Sequence, residues 1–433
     1  MDSPPLNSLP SEILPATWRA LPAGIWALGF GSLFMDISSE AIHSLLPIFM
    51  VSVLGASMVT VGIIEGVAES TAAVMKLFSG ALSDYLGKRK FLLVLGYALA
   101  AFTKPIFPLA TAVNWVFAAR FVDRVGKGIR GAPRDALVAE ITPPQMRGAA
   151  YGLRQALDSV GALIGPLLAV ALMIWFANNI RAVMWIAVVP AFFAVALLMI
   201  YVREPEREDH DARAKAPLTL ADARRLPLPY WLIVLLGAIF TLARFSEAFL
   251  VLRAQDVGLE LGYVPVVMIV MNIFYAAAAY PAGAAADDAN QRTMLPGSMT
   301  ADDVAPATVN RVRQRRLLLL GLALLIAADL VLAFARSPVV VFAGAALWGL
   351  HMAFTQGLLS KLVAETAPAD LLGTGFGIFN LVSGGALLLA SVIAGSLWSS
   401  LGAPATFLTS AGFAALAAIG LLAVRQRRPG PAK

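Results

Sequence analysis

Twelve apolar runs of about twenty residues or more divide this chain. They lie at roughly 24–52, 58–82, 90–110, 113–136, 148–176, 182–202, 230–254, 263–285, 315–335, 338–362, 371–396 and 404–424. A run of that length rises about 1.5 Å per residue as a helix and so matches the hydrocarbon thickness of a bilayer. Inside lipid every backbone N–H and C=O must find a partner within the fold, which helices supply for themselves. Strand-like alternation is absent, so a membrane-spanning barrel is excluded. Of the 433 residues 59% are hydrophobic and 14% charged, too few polar groups to cover a soluble core of this size. The expected partner is therefore the lipid bilayer.

The cations orient the runs. Lys88, Arg89, Lys90, Arg130, Arg134, Arg147, Arg203, Arg207, Arg224, Arg225, Arg311, Arg313, Arg315, Arg316, Arg425, Arg427 and Arg428 share one side, while the opposite loops offer little beyond Arg181 and Arg336. By the positive-inside rule both termini are expected in the cytoplasm. The net charge of +6 comes from these short loops and is no nucleic-acid footprint. The N-terminal twenty residues lack the regions of a signal peptide. With no cysteine and three histidines, thiolate metal sites and disulfides are absent, and no phosphate loop or hydrolase framework is present. Neither an enzyme nor a cofactor is expected.

The two halves repeat each other. Ser39-Glu40-Ala41 returns as Ser246-Glu247-Ala248, and Leu54-Gly55 as Leu261-Gly262. Ser79-Gly80-Ala81-Leu82-Ser83-Asp84 returns as Ala282-Gly283-Ala284-Ala285-Ala286-Asp287. Leu137-Val138-Ala139-Glu140 returns as Leu362-Val363-Ala364-Glu365, and Gly148 and Gly152 as Gly373 and Gly377. The expected organisation is a tail over 1–22, a six-helix bundle over 23–202 and a charged linker over 203–229. A second six-helix bundle covers 230–424, with a polar insertion about 288–310, and a basic tail ends the chain over 425–433. Two parallel six-helix repeats are what a rocking transporter requires, with its site at their interface. The fold class is an all-α membrane protein of twelve transmembrane helices in two six-helix bundles. It is expected to be a monomer.

Ionisable residues inside spans are costly unless they face a cavity or a partner, so they point to function. Asp36, Glu40 and His43 fall at i, i+4 and i+7, one face of the first helix. Two carboxylates so close in a dry site do not easily both ionise, which suits proton coupling. Acid, acid and imidazole on one face also make a candidate site for a divalent cation such as nickel or iron. A third reading is structural, with Ser38, Ser39 and Glu40 bonding between helices. Glu65, Glu69 and Lys76 share a face of the second helix, where the two acids are expected to meet the same cavity.

The fourth helix carries Arg120, Asp123, Arg124, Lys127, Arg130, Arg134 and Asp135. Its five cations fall within about 120° of one another, a stripe that either lines an aqueous path for anions or is neutralised locally by Asp123, Asp135 and Glu140. Arg244 and Glu247, the repeat-mate of Glu40, fit a static ion pair and a gating one equally well. Later polar residues are fewer (Asn272, Tyr275, His351, Gln356, Asn380), so the first half is expected to handle protons or ions.

The hairpin between the second and third runs reads Gly80-Ala-Leu-Ser-Asp84-Tyr-Leu-Gly87-Lys88-Arg89-Lys90. This Gly-x-x-x-Asp-x-x-Gly-Lys-Arg pattern resembles the signature loop of the major facilitator superfamily, with Tyr85 where that family has Arg or Lys. The resemblance spans about 24–424 and implies the two-bundle fold, alternating access and a conformational latch at Gly80, Asp84, Gly87, Lys88 and Arg89. The fifth helix reads Gly152, Gly161, Gly165-Pro166, similar to the motif of superfamily antiporters, with Ala169 and Val170 replacing its last two glycines. In the family it marks exporters that exchange substrate for protons. Met35-Asp36-Ile37-Ser38-Ser39-Glu40, Asp123-Arg124-Val125-Gly126-Lys127-Gly128-Ile129-Arg130 and Pro133-Arg134-Asp135 resemble a bacterial branch that includes nickel-resistance exporters. The expectation is a proton-coupled efflux carrier of the bacterial inner membrane for a small molecule, or for a divalent metal ion or its chelate. A non-transporting ligand sensor is the alternative of another class.

Overall fold

The computed structural model describes residues 21–143, 146–204, 223–287, 305–368 and 371–423. The expected tail 1–22, linker 203–229, insertion 288–310 and tail 425–433 lie wholly or mostly outside them. Among the described residues all regular structure is helical, and ten helices are long and apolar enough to cross a membrane.

The principal helices are α1 (Ala23–His43), α2 (Met58–Leu86), α3 (Arg89–Thr103), α4 (Val113–Ile141), α5 (Arg147–Trp175), α6 (Ile180–Tyr201), α7 (Leu228–Leu242), α8 (Val266–Asp287), α9 (Ala305–Ala333), α10 (Pro338–Thr366), α11 (Leu372–Leu401) and α12 (Ala403–Ala423). Two of them fall outside the apolar ten. Helix α4 carries the charged stripe, and α7 is short because its span is interrupted.

That interruption corrects the expectation of one helix over 230–254. Helix α7 stops at Leu242, and a short helix resumes over Ala248–Asp256. The five residues between include Arg244, Ser246 and Glu247, and side chains recapture the backbone groups they free. The Ser246 N–H donates to Ser391 Oγ of α11 at 3.3 Å, the Ala248 N–H to Ser246 Oγ at 3.3 Å, and Ser410 of α12 lies 2.5 Å from the Ala243 carbonyl oxygen. Irregular backbone survives at membrane depth only where protein or a cavity satisfies it in this way. Beneath the break an aromatic cluster packs Phe245 against Phe249, Trp348 and Phe407, each at a ring separation of 5.4 Å. Helix α1 is irregular at the matching place. It ends at His43, turns at Ser44 and Leu45, and continues through Leu46–Ile48 into a π-helical turn over Phe49–Val53.

Within the first bundle α1 packs on α5 and α6, while α4 packs on α2 and α3. Within the second, α10 packs on α8 and α9, and α9 on α12. Between bundles, α2 runs beside α11 and α5 beside α8. Small residues permit the close α2–α11 approach, since a Cβ on Gly66 would fall 2.9 Å from the Leu388 Cα. At the end away from the basic loops the outer pieces of the first and seventh spans touch, and Gln255 donates to Ser52 Oγ at 2.8 Å.

At the basic end Gly87 closes α2 in the left-handed region, with φ of 64°, a conformation that favours glycine. Helix α3 then starts beneath Glu204, whose carboxylate accepts the Arg89 N–H at 2.6 Å and the Lys90 N–H at 2.8 Å. An anion over exposed N–H groups satisfies a helix start both in hydrogen bonding and in charge.

Candidate functional site

Two adjoining cavities separate the bundles at mid-depth. One, of about 230 Å³, touches Glu40, His43, Glu65, Glu69, Arg120, Arg124, Lys127, Arg244 and Glu247. The other, of about 500 Å³, runs from Asp36 and Glu40 toward the basic ends of α2 and α4, reaching Lys76, Arg134, Asp135 and Asp158. Glu40, Glu69, Lys127, Arg244 and Leu387 line both. The α1, α2, α4 and α7 residues singled out by their charge inside apolar spans are therefore neighbours, and the break in α7 is what delivers Arg244 and Glu247 to them.

Part of this charge is locked in pairs. Arg120 of α4 donates to Glu65 of α2 at 2.7 Å, also hydrogen-bonds His43 Nε2, and reaches Glu69 at 3.8 Å. Arg124 pairs with Glu69 at 3.0 Å. Arg120 and Arg124 are thus neutralised from α2, while of the α4 acids Asp135 meets Arg134, Oδ1 to Nε at 3.5 Å. Asp123 turns the other way, to Lys104 at the end of α3, with Nζ 3.1 Å from Oδ1. Lys104 also donates to Ser39 Oγ at 2.9 Å and is wholly buried.

Four charges of the cleft are unpaired. Among the described residues Asp36, Lys127, Arg244 and Glu247 have no ion-pair partner, and all four line a cavity. Glu40 has only the His43 ring, at 3.9 Å. Of the two readings left open for Arg244 and Glu247, the static ion pair is not formed. The carboxylate face of α1 is walled by the antiporter-like glycines of α5. A Cβ on Gly161 would lie 3.0 Å from the Asp36 Cβ, and one on Gly165 2.8 Å from the Glu40 Cβ. Pro166 follows, buried within α5. Gly152 differs, with open space where a Cβ would stand.

Toward the basic end the remaining α4 cations join a second network. Arg130 stacks over the Tyr97 ring, 4.4 Å from its centroid, and Arg134 donates to Ser32 Oγ at 3.0 Å. Asp158 takes a 2.8 Å bond from Arg154, four residues before it on α5, and lies 3.8 Å from Arg134.

As for the candidate metal ligands, among the described residues no group of three or more His, Cys, Asp and Glu side chains could hold a metal ion. Asp36, Glu40 and His43 share a face of α1, but the His43 Nε2 is turned to the Arg120 guanidinium. In the hairpin expected to act as a latch, Arg89 forms an ion pair with Glu140 at the end of α4, within the first bundle. A Cβ on Gly80 would lie 3.6 Å from the Ala132 Cβ, an ordinary contact, and Lys88 is exposed at the start of α3. The Asp84 side chain is outside the described residues.

Sequence reasoning passed over Lys104, Glu204, Tyr97 and Asp329. Lys104 and Asp329 carried a usable signal, a lone charge in an otherwise apolar run. Asp329 sits in the last turns of α9 with no exposure.

Two helical bundles around a charged cleft, spanning a membrane, define a multi-pass transport protein. The chain belongs to the Major Facilitator Superfamily, whose family model matches residues 28–301 and 304–433. An MFS-type transporter of Methanocaldococcus jannaschii is 30% identical over 388 residues, covering 88% of this chain and 89% of the relative. The multidrug resistance protein MdtH of Photorhabdus laumondii is 29% identical over 150 residues, 35% of this chain and 37% of that protein. Among solved structures, the nucleoside transporter NupG superposes with a TM-score of 0.72 at 12% identity, covering 92% of this chain and 99% of the other. A bacterial homologue of the human lysosomal transporter Spinster, in an inward-facing and unoccupied conformation, gives 0.70 at 16%, covering 96% and 99%.

Proposed function

We propose that the protein is a proton-coupled carrier that exports a small molecule by alternating access, in the inner membrane of a bacterium with both termini in the cytoplasm. One observation carries this reading. Asp36 and Glu40, pressed against Gly161 and Gly165, face the cleft without a cation holding either of them. Carboxylates in fixed pairs, such as Glu65 and Asp123, are poor proton carriers, because losing the charge strands a buried cation. The free ones exchange a proton with the cleft at lower cost. The sidedness follows from the cation bias, and the closed end then faces outward with the larger cavity toward the cytoplasm. Similarity to multidrug resistance proteins over about a third of the chain supports export.

The cargo in this reading carries a negative group. Lys127 of the first bundle and Arg244 of the second line both cavities with no carboxylate paired to them, so a carboxylate or phosphate between them would tie the bundles together. A metal cargo is disfavoured because His43 is engaged by Arg120. The Asp84 hairpin is assigned the conformational latch, on its resemblance to the family loop.

The test is a resistance screen of cells expressing the protein against organic anions, cationic drugs and nickel or iron salts. Protection against organic anions that is lost in Lys127→Ala and in Glu40→Gln supports the reading. Protection confined to metal salts overturns the cargo assignment. A ligand sensor would protect against none of them and would release no protons from vesicles on adding ligand.

A further inference from the structure

The interrupted seventh span is held by a carboxyl group that the transport reading does not use. Asp329 of α9 has no exposed surface, and its Oδ1 has no hydrogen-bond partner. Its Oδ2 lies 2.6 Å from the Ser410 hydroxyl of α12, and that hydroxyl lies 2.5 Å from the carbonyl oxygen of Ala243, where α7 stops. Among the described residues no cation pairs with Asp329.

The hydrogens of this chain can be counted. A serine hydroxyl carries one, and a backbone carbonyl can only accept. Ser410 must therefore donate to Ala243, since otherwise two oxygen lone pairs would face each other at 2.5 Å. That leaves the Ser410 oxygen as acceptor in its short contact with Asp329, and the hydrogen must come from the acid. A carboxylate would compete for the Ser410 hydrogen and stand as an isolated buried charge.

We propose that Asp329 is a proton-binding site of the second bundle, and that its proton closes an acid–hydroxyl–carbonyl chain tying α9 and α12 to the broken end of α7. Loss of the proton turns Ser410 toward Asp329 and releases the Ala243 carbonyl. The segment freed is the one that carries Arg244 and Glu247 into the cleft. The charged or titratable side chains set around α9 are few. Arg253, from the helix after the break, is bound to the carbonyls of Leu332 and Ala335 at 3.0 and 2.8 Å. His351 of α10 is bound to Gly321 at 2.8 Å, Arg244 follows the broken end itself, and α12 contributes no ionisable residue between Ala403 and Ala423. The inference stands on hydrogen-bond geometry and not on the transport reading, so either can fail alone.

Infrared spectroscopy of the purified full-length protein at neutral pH tests the site without any substrate. The wild type should show a protonated carboxyl C=O band that Asp329→Asn lacks. That variant should fold normally, because its amide can donate to Ser410 in place of the acid. In Ser410→Ala the same band should move to higher frequency as the acid loses its acceptor. Superimposable wild-type and Asp329→Asn spectra in this region, or an unmoved band in Ser410→Ala, would overturn the site. For the tie to α7, hydrogen exchange over residues 241–250 is compared between wild type and Asp329→Asn at matched pH. Equal rates at neutral pH and several-fold faster exchange in the wild type at alkaline pH are expected. A ratio that does not change with pH would overturn the tie.

Discussion

Lys104 and Asp123 form an ion pair sealed inside the first bundle, Nζ to Oδ1 at 3.1 Å, with the lysine wholly buried and a second bond to Ser39. Neither group lines the cleft. The pair reads as a structural clasp between the end of α3 and α4.

Removing one partner should therefore be far worse than removing both. Lys104→Met or Asp123→Asn alone strands a buried charge, at about 3–5 kcal/mol. The double variant should recover most of that loss. Thermal unfolding of detergent-solubilised protein measures it, and a double variant as unstable as the sum of the singles would contradict the clasp.

The two ends of the glycine motif on α5 should respond oppositely. A methyl at Gly165 meets the Glu40 Cβ at 2.8 Å and nearby backbone of α1, so Gly165→Ala should cost about 1–3 kcal/mol by overpacking. A methyl at Gly152 meets open space, and Gly152→Ala should gain up to about 1 kcal/mol from helix propensity. Equal effects at both positions in the same unfolding assay would remove the distinction drawn between them.

A cross-link at the closed end should stop turnover. The chain has no cysteine, so Ser52→Cys with Gln255→Cys introduces a single possible bridge where the native side chains meet at 2.8 Å. A short, reducible thiol cross-linker joining the two should arrest export, with recovery on reduction. A bridged protein that still protects cells would show that this end need not open.

Much of this architecture was legible in the chain itself. Apolar run length located the spans, and the returning Ser-Glu-Ala triplet marked Glu40 and Glu247 as counterparts before any contact was known. Helical spacing put Asp36 with Glu40, and Glu65 with Glu69, but could not say which cation each would meet. Arg120 and Arg124 reach α2 because α2 and α4 pack together, a fact of tertiary structure alone. Hydrophobicity averaged over 230–254 concealed the break at Arg244. The bonds that make the break tolerable come from Ser391 and Ser410, about 145 to 167 residues away in sequence. Asp329 did leave a trace, one acid in the apolar stretch 317–333, but nothing in the chain named Ser410 as its partner.

The measurement closest to the central claim uses vesicles reconstituted with the protein, loaded with a pH-sensitive dye and given a compound identified by the resistance screen. Wild-type protein should couple uptake of that compound to proton release, while Glu40→Gln and Asp36→Asn should insert normally and lose the coupled signal. Undiminished transport driven by a pH gradient in both variants would contradict the assignment of these carboxylates as the proton carriers.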